Sequence, residues 1–369
     1  MTPSRYPGLD GLRGLAAFAV ILHHTAVKGT DIGGLSVFMF FALSGFLVTG
    51  ILVRARRAIE AGETTRLAAL KHFWLQRALR IFPAYYAWLL IFLPFDALLF
   101  GGQTMAHLAW YLLYAQNFLI GFVTLAWQDF THTWSLAVEQ QYYVFFAPLV
   151  LFVQERRRDA FFLAAAAICL CALAALDAFG YGAITLYPFP ATGFIFMATG
   201  ALLVPRAGPR LQLFAHPAIV AAALAALALY PIAERGRLLH LPYALQIAAS
   251  ALSVGVLLAA TLAAPRSRAV RALETPALTY LGRISYALYI VHLPLAYWAQ
   301  ETSVLAVFGA PQGFAHDLAE FFFVAPVSLV LAAVSWRWIE TPFLSLKTRL
   351  KGERGGEARG PLPPCPSLR

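Results

Sequence analysis

The chain has 369 residues, 60% of them apolar and only 12% charged, and its mean hydropathy is +0.68. A soluble globular domain carries roughly 25% charged residues, so this composition excludes one and indicates a polytopic helical membrane protein. The formal charge of +10 would suit nucleic acid, but the basic residues gather in alternate loops, as membrane topology requires, and no nucleic-acid partner is expected.

The first apolar span, 11–28, holds Arg13 and the pair His23-His24. It runs past the h-region of a signal peptide and lacks a small-residue cleavage site, so it reads as a retained span. Ionisable groups at membrane depth are costly and usually face a protein interior or a wet cavity. At about 100° per residue, His24 returns to within roughly 20° of the Arg13 face, whereas His23 falls about 80° off it. The two same-face residues stand roughly 16 Å apart along the axis. His24 and Arg13 are therefore the candidate reactive pair.

Nine further spans follow at 35–53, 81–100, 136–153, 160–178, 191–205, 216–233, 243–264, 276–298 and 318–339. Residues 105–123 are also long enough to cross. Counting them as an eleventh span would place Arg156, Arg157 and Arg158 outside and invert every later loop. Treated as interfacial or re-entrant, with Trp110, Tyr111 and Tyr114 in the aromatic belt, they leave the basic loops on one side. That side carries Arg54 to Arg80, Arg156–Arg158, Arg206, Arg210 and Arg266 to Arg271; the other keeps Lys28, Arg235 and Arg237. The expected fold is all-α, with about ten transmembrane helices and both termini cytoplasmic. Residues 1–345 form the membrane domain, and 346–369, rich in Gly, Pro and charge, read as a disordered cytoplasmic tail. Residues 54–80 read as an amphipathic cytoplasmic segment. No internal repeat is apparent.

Phe40-Phe41-Ala42-Leu43-Ser44-Gly45-Phe46 gives the second span a small Ser-Gly patch that permits close helix approach. Arg77 and Arg80 are i, i+3 neighbours whose guanidiniums can converge on one anion, such as a cofactor phosphate, or anchor to lipid headgroups. Trp134-Ser135-Leu136-Ala137-Val138-Glu139 opens the fourth span, with Glu139 near the helix N-terminus, where the dipole favours a carboxylate. Glu139 could orient a histidine, bind a hydroxyl or hydrogen-bond neighbouring helices. In the ninth span Ser285, Tyr289 and His292 follow a polar i, i+4, i+7 stripe that lines a cavity or joins helices. The segment from Trp336 to Pro342 reads mainly as an interfacial stop. Cys169, Cys171 and Cys365 form no disulfide framework, and no metal-ligand spacing is present, so no metal is expected. Soluble-enzyme signatures are missing.

Taken in order, these segments resemble the membrane-bound acyltransferase 3 family over nearly all of residues 5–345. Arg13 with His24 matches its Arg–ten residues–His motif, Phe40 to Leu47 its Phe-Phe-x-x-Ser-Gly-Phe signature, and Arg77 with Arg80 its Arg-x-x-Arg pair. Trp134-Ser135-Leu136 with Glu139 and Tyr143 resembles a fourth block, and Ser285-Tyr286 with Tyr289 and His292 a late one. The resemblance implies transfer of an acyl group, commonly acetyl from cytoplasmic acetyl-CoA, to a hydroxyl of a surface carbohydrate, lipid-linked glycan or secondary metabolite. It implies cofactor phosphates at Arg77 and Arg80, a reaction centre at Arg13 and His24, and a bacterial inner-membrane location. Some members add an extracytoplasmic hydrolase-like domain, which this chain is expected to lack. Candidate catalytic residues are His24, Arg13 and Glu139, and candidate cavity-lining residues are Trp134, Ser285, Tyr289 and His292. A neutral imidazole can take a hydroxyl proton as the thioester is attacked; a covalent acyl-His24 relay is the other route. The competing class is a glycan or lipid exporter with His24 and Glu139 in a proton path, although the matched broken-helix repeats of many transporters are not seen.

Overall fold

The computed structural model describes residues 6–204, 209–234, 241–302, 304 and 313–346. Arg206, Arg235, Arg237 and the tail from residue 347 onward lie outside the described residues.

Among the described residues the secondary structure is entirely helical. The long helices are α1 (Leu9–His24), α2 (Ile32–Glu60), α3 (Arg66–Leu99), α4 (Trp134–Phe152) and α5 (Arg158–Ala178), followed by α6 (Pro190–Leu202) and α7 (Pro217–Glu234). The set closes with α8 (Tyr243–Ala263), α9 (Pro276–Glu301) and α10 (Phe314–Ser335). Each expected span falls on one of them. Five segments are long and apolar enough to cross a membrane: Ile32–Glu60, Arg66–Leu99, Glu155–Ala178, Tyr243–Ala263 and Phe314–Leu346. This is an integral membrane architecture. Helices α1, α4 and α9 fall short by length or composition, and they carry Arg13, Glu139 and His292. Polar side chains lower the hydropathy of a helix wherever they line an interior.

Two boundaries differ from the sequence expectation. Helix α1 ends at His24, and the Thr25 N–H turns back to the Leu22 carbonyl, so residues 25–28 belong to a turn. Residues 54–80 form no separate segment. They extend α2 and α3 as helix on either side of a short turn, and Thr65 caps α3 by accepting from the Ala68 N–H at 3.2 Å.

The stretch 105–123 is not one helix. It is broken into Gln103–Ala106, Leu108–Leu112, Gln116–Phe118 and a π-helical turn at Leu119–Thr124. Irregular backbone at membrane depth needs polar partners from protein, and neighbouring helices supply them. Asp96 of α3 accepts from the Thr104 and Met105 N–H groups at 3.1 and 2.9 Å. Tyr85 and Tyr86 donate to the Tyr111 and Leu112 carbonyls at 3.0 and 2.9 Å. Gln141 donates to the Tyr114 carbonyl at 3.0 Å, and Gln116 to that of Thr133 at 2.9 Å.

Small residues set the closest helix contacts. Helix α2 packs on α6 where Gly45 meets the Met197 backbone and Gly200 meets the Ala42 carbonyl, and a Cβ at either glycine would collide. Helix α1 lies on α9 in the same way, with Gly14 against the Leu278 carbonyl and Gly282 against that of Asp10. In the turn after α1, Lys28 bonds Glu320 at 2.5 Å and Asp317 at 3.2 Å, and Gln300 donates to Glu320 at 2.8 Å. His316 groups with the same two carboxylates, and the Lys28 ammonium already bridges them.

Candidate active site

Helices α1, α2, α4 and α9 line two pockets stacked along their common axis, and α3 closes the smaller one with Arg77, Arg80 and Ile81. One has a volume of about 440 Å³ and is lined by His24, His132, Trp134, Tyr187, Tyr289 and Tyr297, among others. The second, about 80 Å³, is lined by Arg13, Ser44, Arg77, Arg80, Glu139 and Tyr143, with Phe40 and Tyr286.

The helices run in alternate directions, which explains the placement. Helix α1 ends on His24, so the turn into α2 lies at the histidine cavity, and α2 then returns past Val37 to Phe40 and Ser44 at the level of Arg13. Helix α4 starts with Trp134 at the cavity and reaches Glu139 and Tyr143 in the arginine pocket. Helix α9 runs the other way, from Tyr286 to Tyr289 and His292.

Four imidazoles form a ladder at the cavity, with the His23 and His24 ring centroids 4.7 Å apart. The His24 and His292 ring centroids are 5.3 Å apart, and those of His292 and His132 are 5.5 Å apart. His292 Nδ1 lies 2.7 Å from the Tyr289 carbonyl and His132 Nε2 lies 3.0 Å from that of Ile290. A carbonyl only accepts, so each of those nitrogens carries the proton and the opposite nitrogen of a neutral ring holds a lone pair. Both opposite nitrogens, Nε2 of His292 and Nδ1 of His132, are buried without a hydrogen-bond partner. Tyr289 is held rigidly: its hydroxyl donates to the His132 carbonyl at 2.7 Å and meets the Ser135 hydroxyl at 2.9 Å. Trp134 packs against Tyr187 at 4.7 Å and forms an aromatic wall.

In the smaller pocket three guanidiniums face one carboxylate. Arg13 Nε and Arg77 Nε are buried donors with no partner. Arg77 lies over the Tyr143 ring at 6.0 Å and Arg80 over that of Trp336 at 5.7 Å. Tyr143 donates to Glu139 at 3.1 Å, so the Ser44 hydroxyl, 2.6 Å away, donates to Tyr143. An excess of buried positive charge with unpartnered donors is a receptor for an anion.

The structure thus gathers Arg13, Arg77, Arg80 and Glu139 at one level and His24, Trp134, Tyr289 and His292 at the other. Arg13 and His24 share a face of α1, yet they line different pockets. Ser285 and His292, both expected in a cavity wall, line neither: Ser285 bonds back to the Gly282 carbonyl at 2.9 Å, and His292 is fully buried behind His24 and His132. Two polar residues were not among the expected site residues; one of them, Glu340, belongs to the Trp336–Pro342 segment that reads as an interfacial stop. His132 sits in the 3₁₀ turn Thr131–Thr133, and its signal was a polar Thr-His-Thr triplet just ahead of Trp134. Glu340 closes the π-helical turn Trp336–Glu340. It is 2% exposed, neither of its carboxylate oxygens has a partner, and its charge acts on Arg80 and Arg13.

Among the described residues the helices, five of them in segments long and apolar enough to cross a membrane, surround an interior of arginines, histidines and carboxylates, which is the make-up of a membrane protein with a polar site inside it. The profile of the acyltransferase 3 family, described as an acyltransferase domain, matches residues 6–337, and the chain belongs to that family. It is 30% identical over 168 residues to the O-acetyltransferase OatA of Staphylococcus aureus (strain NCTC 8325 / PS 47), which covers 42% of this chain and 26% of that protein. It is 31% identical over 158 residues to SACOL0978 of Staphylococcus aureus (strain COL), covering 39% of this chain and 24% of the relative. The chain thus matches about a quarter of the length of these curated relatives. No solved structure matches it.

Proposed function

We propose that this protein is a membrane O-acyltransferase that moves an acyl group, acetyl first among them, from acyl-CoA to a hydroxyl of a carbohydrate or lipid-linked glycan. The observation that carries this reading is the stacking of an arginine pocket and a histidine cavity on four shared helices, with α3 adding Arg77 and Arg80 to the arginine pocket. Family membership and the O-acetyltransferase name of the relative OatA support it.

In this reading Arg77 and Arg80, helped by Arg13, hold the phosphates of acyl-CoA, and the unpartnered Nε–H groups of Arg13 and Arg77 fit that anion. A pocket of about 80 Å³ admits a phosphate or a slender chain and leaves the nucleotide outside. The acceptor hydroxyl enters the larger cavity, where aromatic walls and imidazole lone pairs suit a sugar. His24 removes the hydroxyl proton while that oxygen attacks the thioester carbonyl; the C–S bond breaks and the departing thiolate takes up a proton. The imidazolium of His24 returns that proton to the thiolate. Glu139 accepts from Tyr143 and balances the arginine charge on the donor side, and Tyr289 lines the acceptor cavity with His292 packed behind it.

Topology follows from charge. With 105–123 broken instead of spanning, ten spans put the basic α2–α3 connection and both termini in the cytoplasm, where acetyl-CoA is made. A bacterial inner membrane fits this arrangement. Inverted vesicles fed radiolabelled acetyl-CoA test the function. Label should reach a glycan or lipid-linked fraction with the wild type and not with His24→Ala at matched abundance. Equal transfer by both would remove His24 from the reaction.

A further inference from the structure

The linings of the two pockets abut along α2 and α9. Val37 of α2 and Tyr289 of α9 face the histidine cavity, and Phe40 and Tyr286, each three residues away, face the arginine pocket. Three residues are about 4.5 Å of helix, so less than one turn separates the two spaces. Aromatic rings fill that seam. Tyr289 is anchored by its two hydroxyl bonds, and moving it would strand buried polar groups. Phe40 lies 6.4 Å from it, centroid to centroid, packed on the cluster formed by Ala17, Ile21, Ala287 and Leu288. A phenyl ring has no hydrogen bond to lose, and a rotamer change is enough to move it.

We propose that the two pockets are halves of one continuous donor path, with the Phe40 ring as its movable partition. This inference rests on the acyl-CoA reading above. The donor's phosphates stay with the arginines while its slender thioester-bearing arm turns Phe40 aside and reaches His24, roughly 16 Å along the axis from Arg13. Phe40 is then a positioning residue with two effects. It controls whether the thioester reaches the base, and it shields the thioester from water of the histidine cavity when no acceptor is bound.

The full-length protein, purified in detergent, would be given acetyl-CoA with water as sole acceptor, and release of the free thiol followed. Inverted vesicles would report acetyl transfer in parallel, and equilibrium binding of coenzyme A would report donor affinity. Phe40→Ala should raise the ratio of thiol release to acetyl transfer several-fold. Phe40→Trp should lower both by about tenfold or more, the scale of loss from a misplaced reactive group, with coenzyme A affinity unchanged. Phe40→Leu should restore transfer. A purely structural role would move binding, thermal stability and both reactions together. Wild-type transfer by a folded Phe40→Trp protein would overturn the shared path. If the wild type itself neither releases thiol nor transfers acetyl, the acyl-CoA reading falls, and this inference with it.

Discussion

Arginine 13 and arginine 77 each bury an Nε–H that no protein group satisfies. Leaving a buried charged donor unpaired costs stability, and proteins retain such groups where a ligand completes them. Hydrogen bonds to charged groups contribute about 1.5–3 kcal/mol each. Arg77→Ala should therefore raise the apparent KM for acetyl-CoA by roughly ten- to a hundredfold, with a smaller change in kcat, measured in vesicles saturated with native acceptor. An unchanged KM would return Arg77 to a lipid-anchoring role. The histidine ladder follows the same logic with the sign reversed. His132 and His292 bury acceptor lone pairs, and that of His132, which lines the cavity, can take a hydroxyl donor of a bound acceptor.

At the scale of elements, glycines decide how near the helices come. The α2–α6 contact brings backbone against backbone at Gly45 and Gly200, and this fixes the height and rotation of α2, hence the positions of Phe40 and Ser44. Gly200→Val would press a branched side chain onto the Ala42 carbonyl. Overpacking of this kind costs typically 1–3 kcal/mol, and it would displace α2 from the site. The expected result is a lower Tm in detergent together with lost acetyl transfer. Full activity at an unchanged Tm would show that the contact is looser than the structure has it. The broken 103–124 segment serves α4 in a similar way: Gln116 bonds the Thr133 backbone and so steadies the turn that carries His132.

For the whole molecule, closure of the bundle at the histidine end depends on Lys28. Burial by itself lowers the Lys28 ammonium, but its hydrogen bonds to Glu320 and Asp317 and their charges outweigh it and hold the group above its ordinary value of 10.5. A cation raised in the folded state contributes stability that is fully present below its unfolded value and is lost as pH rises through the folded one. The Lys28 contribution to Tm should therefore be flat from neutral pH to about 10 and disappear only in stronger alkali. Lys28→Met should lower Tm at pH 7 by the amount that alkali removes from the wild type, as measured by thermal unfolding in detergent. An equal Tm for variant and wild type at pH 7 would show that the clamp adds nothing. Much of this architecture was legible in the chain. Hydropathy located each long helix and loop charge argued against a helix through 105–123; the 3.6-residue phase singled out His24, but His23 lines the same cavity. Those properties are local, because apolar length and helical period act within one segment. Other features depended on segments far apart in sequence. Arg13 and His24 share a stripe, yet neighbouring helices divide the space between them at Phe40 and Tyr289. His132 and Glu340 join the site from a 3₁₀ turn and a π-turn with no periodic signal, and Ser285 turns back onto its own helix. Composition and spacing determined that polar groups would face an interior; which of them meet there was decided by tertiary packing, because a shared cavity belongs to several helices at once.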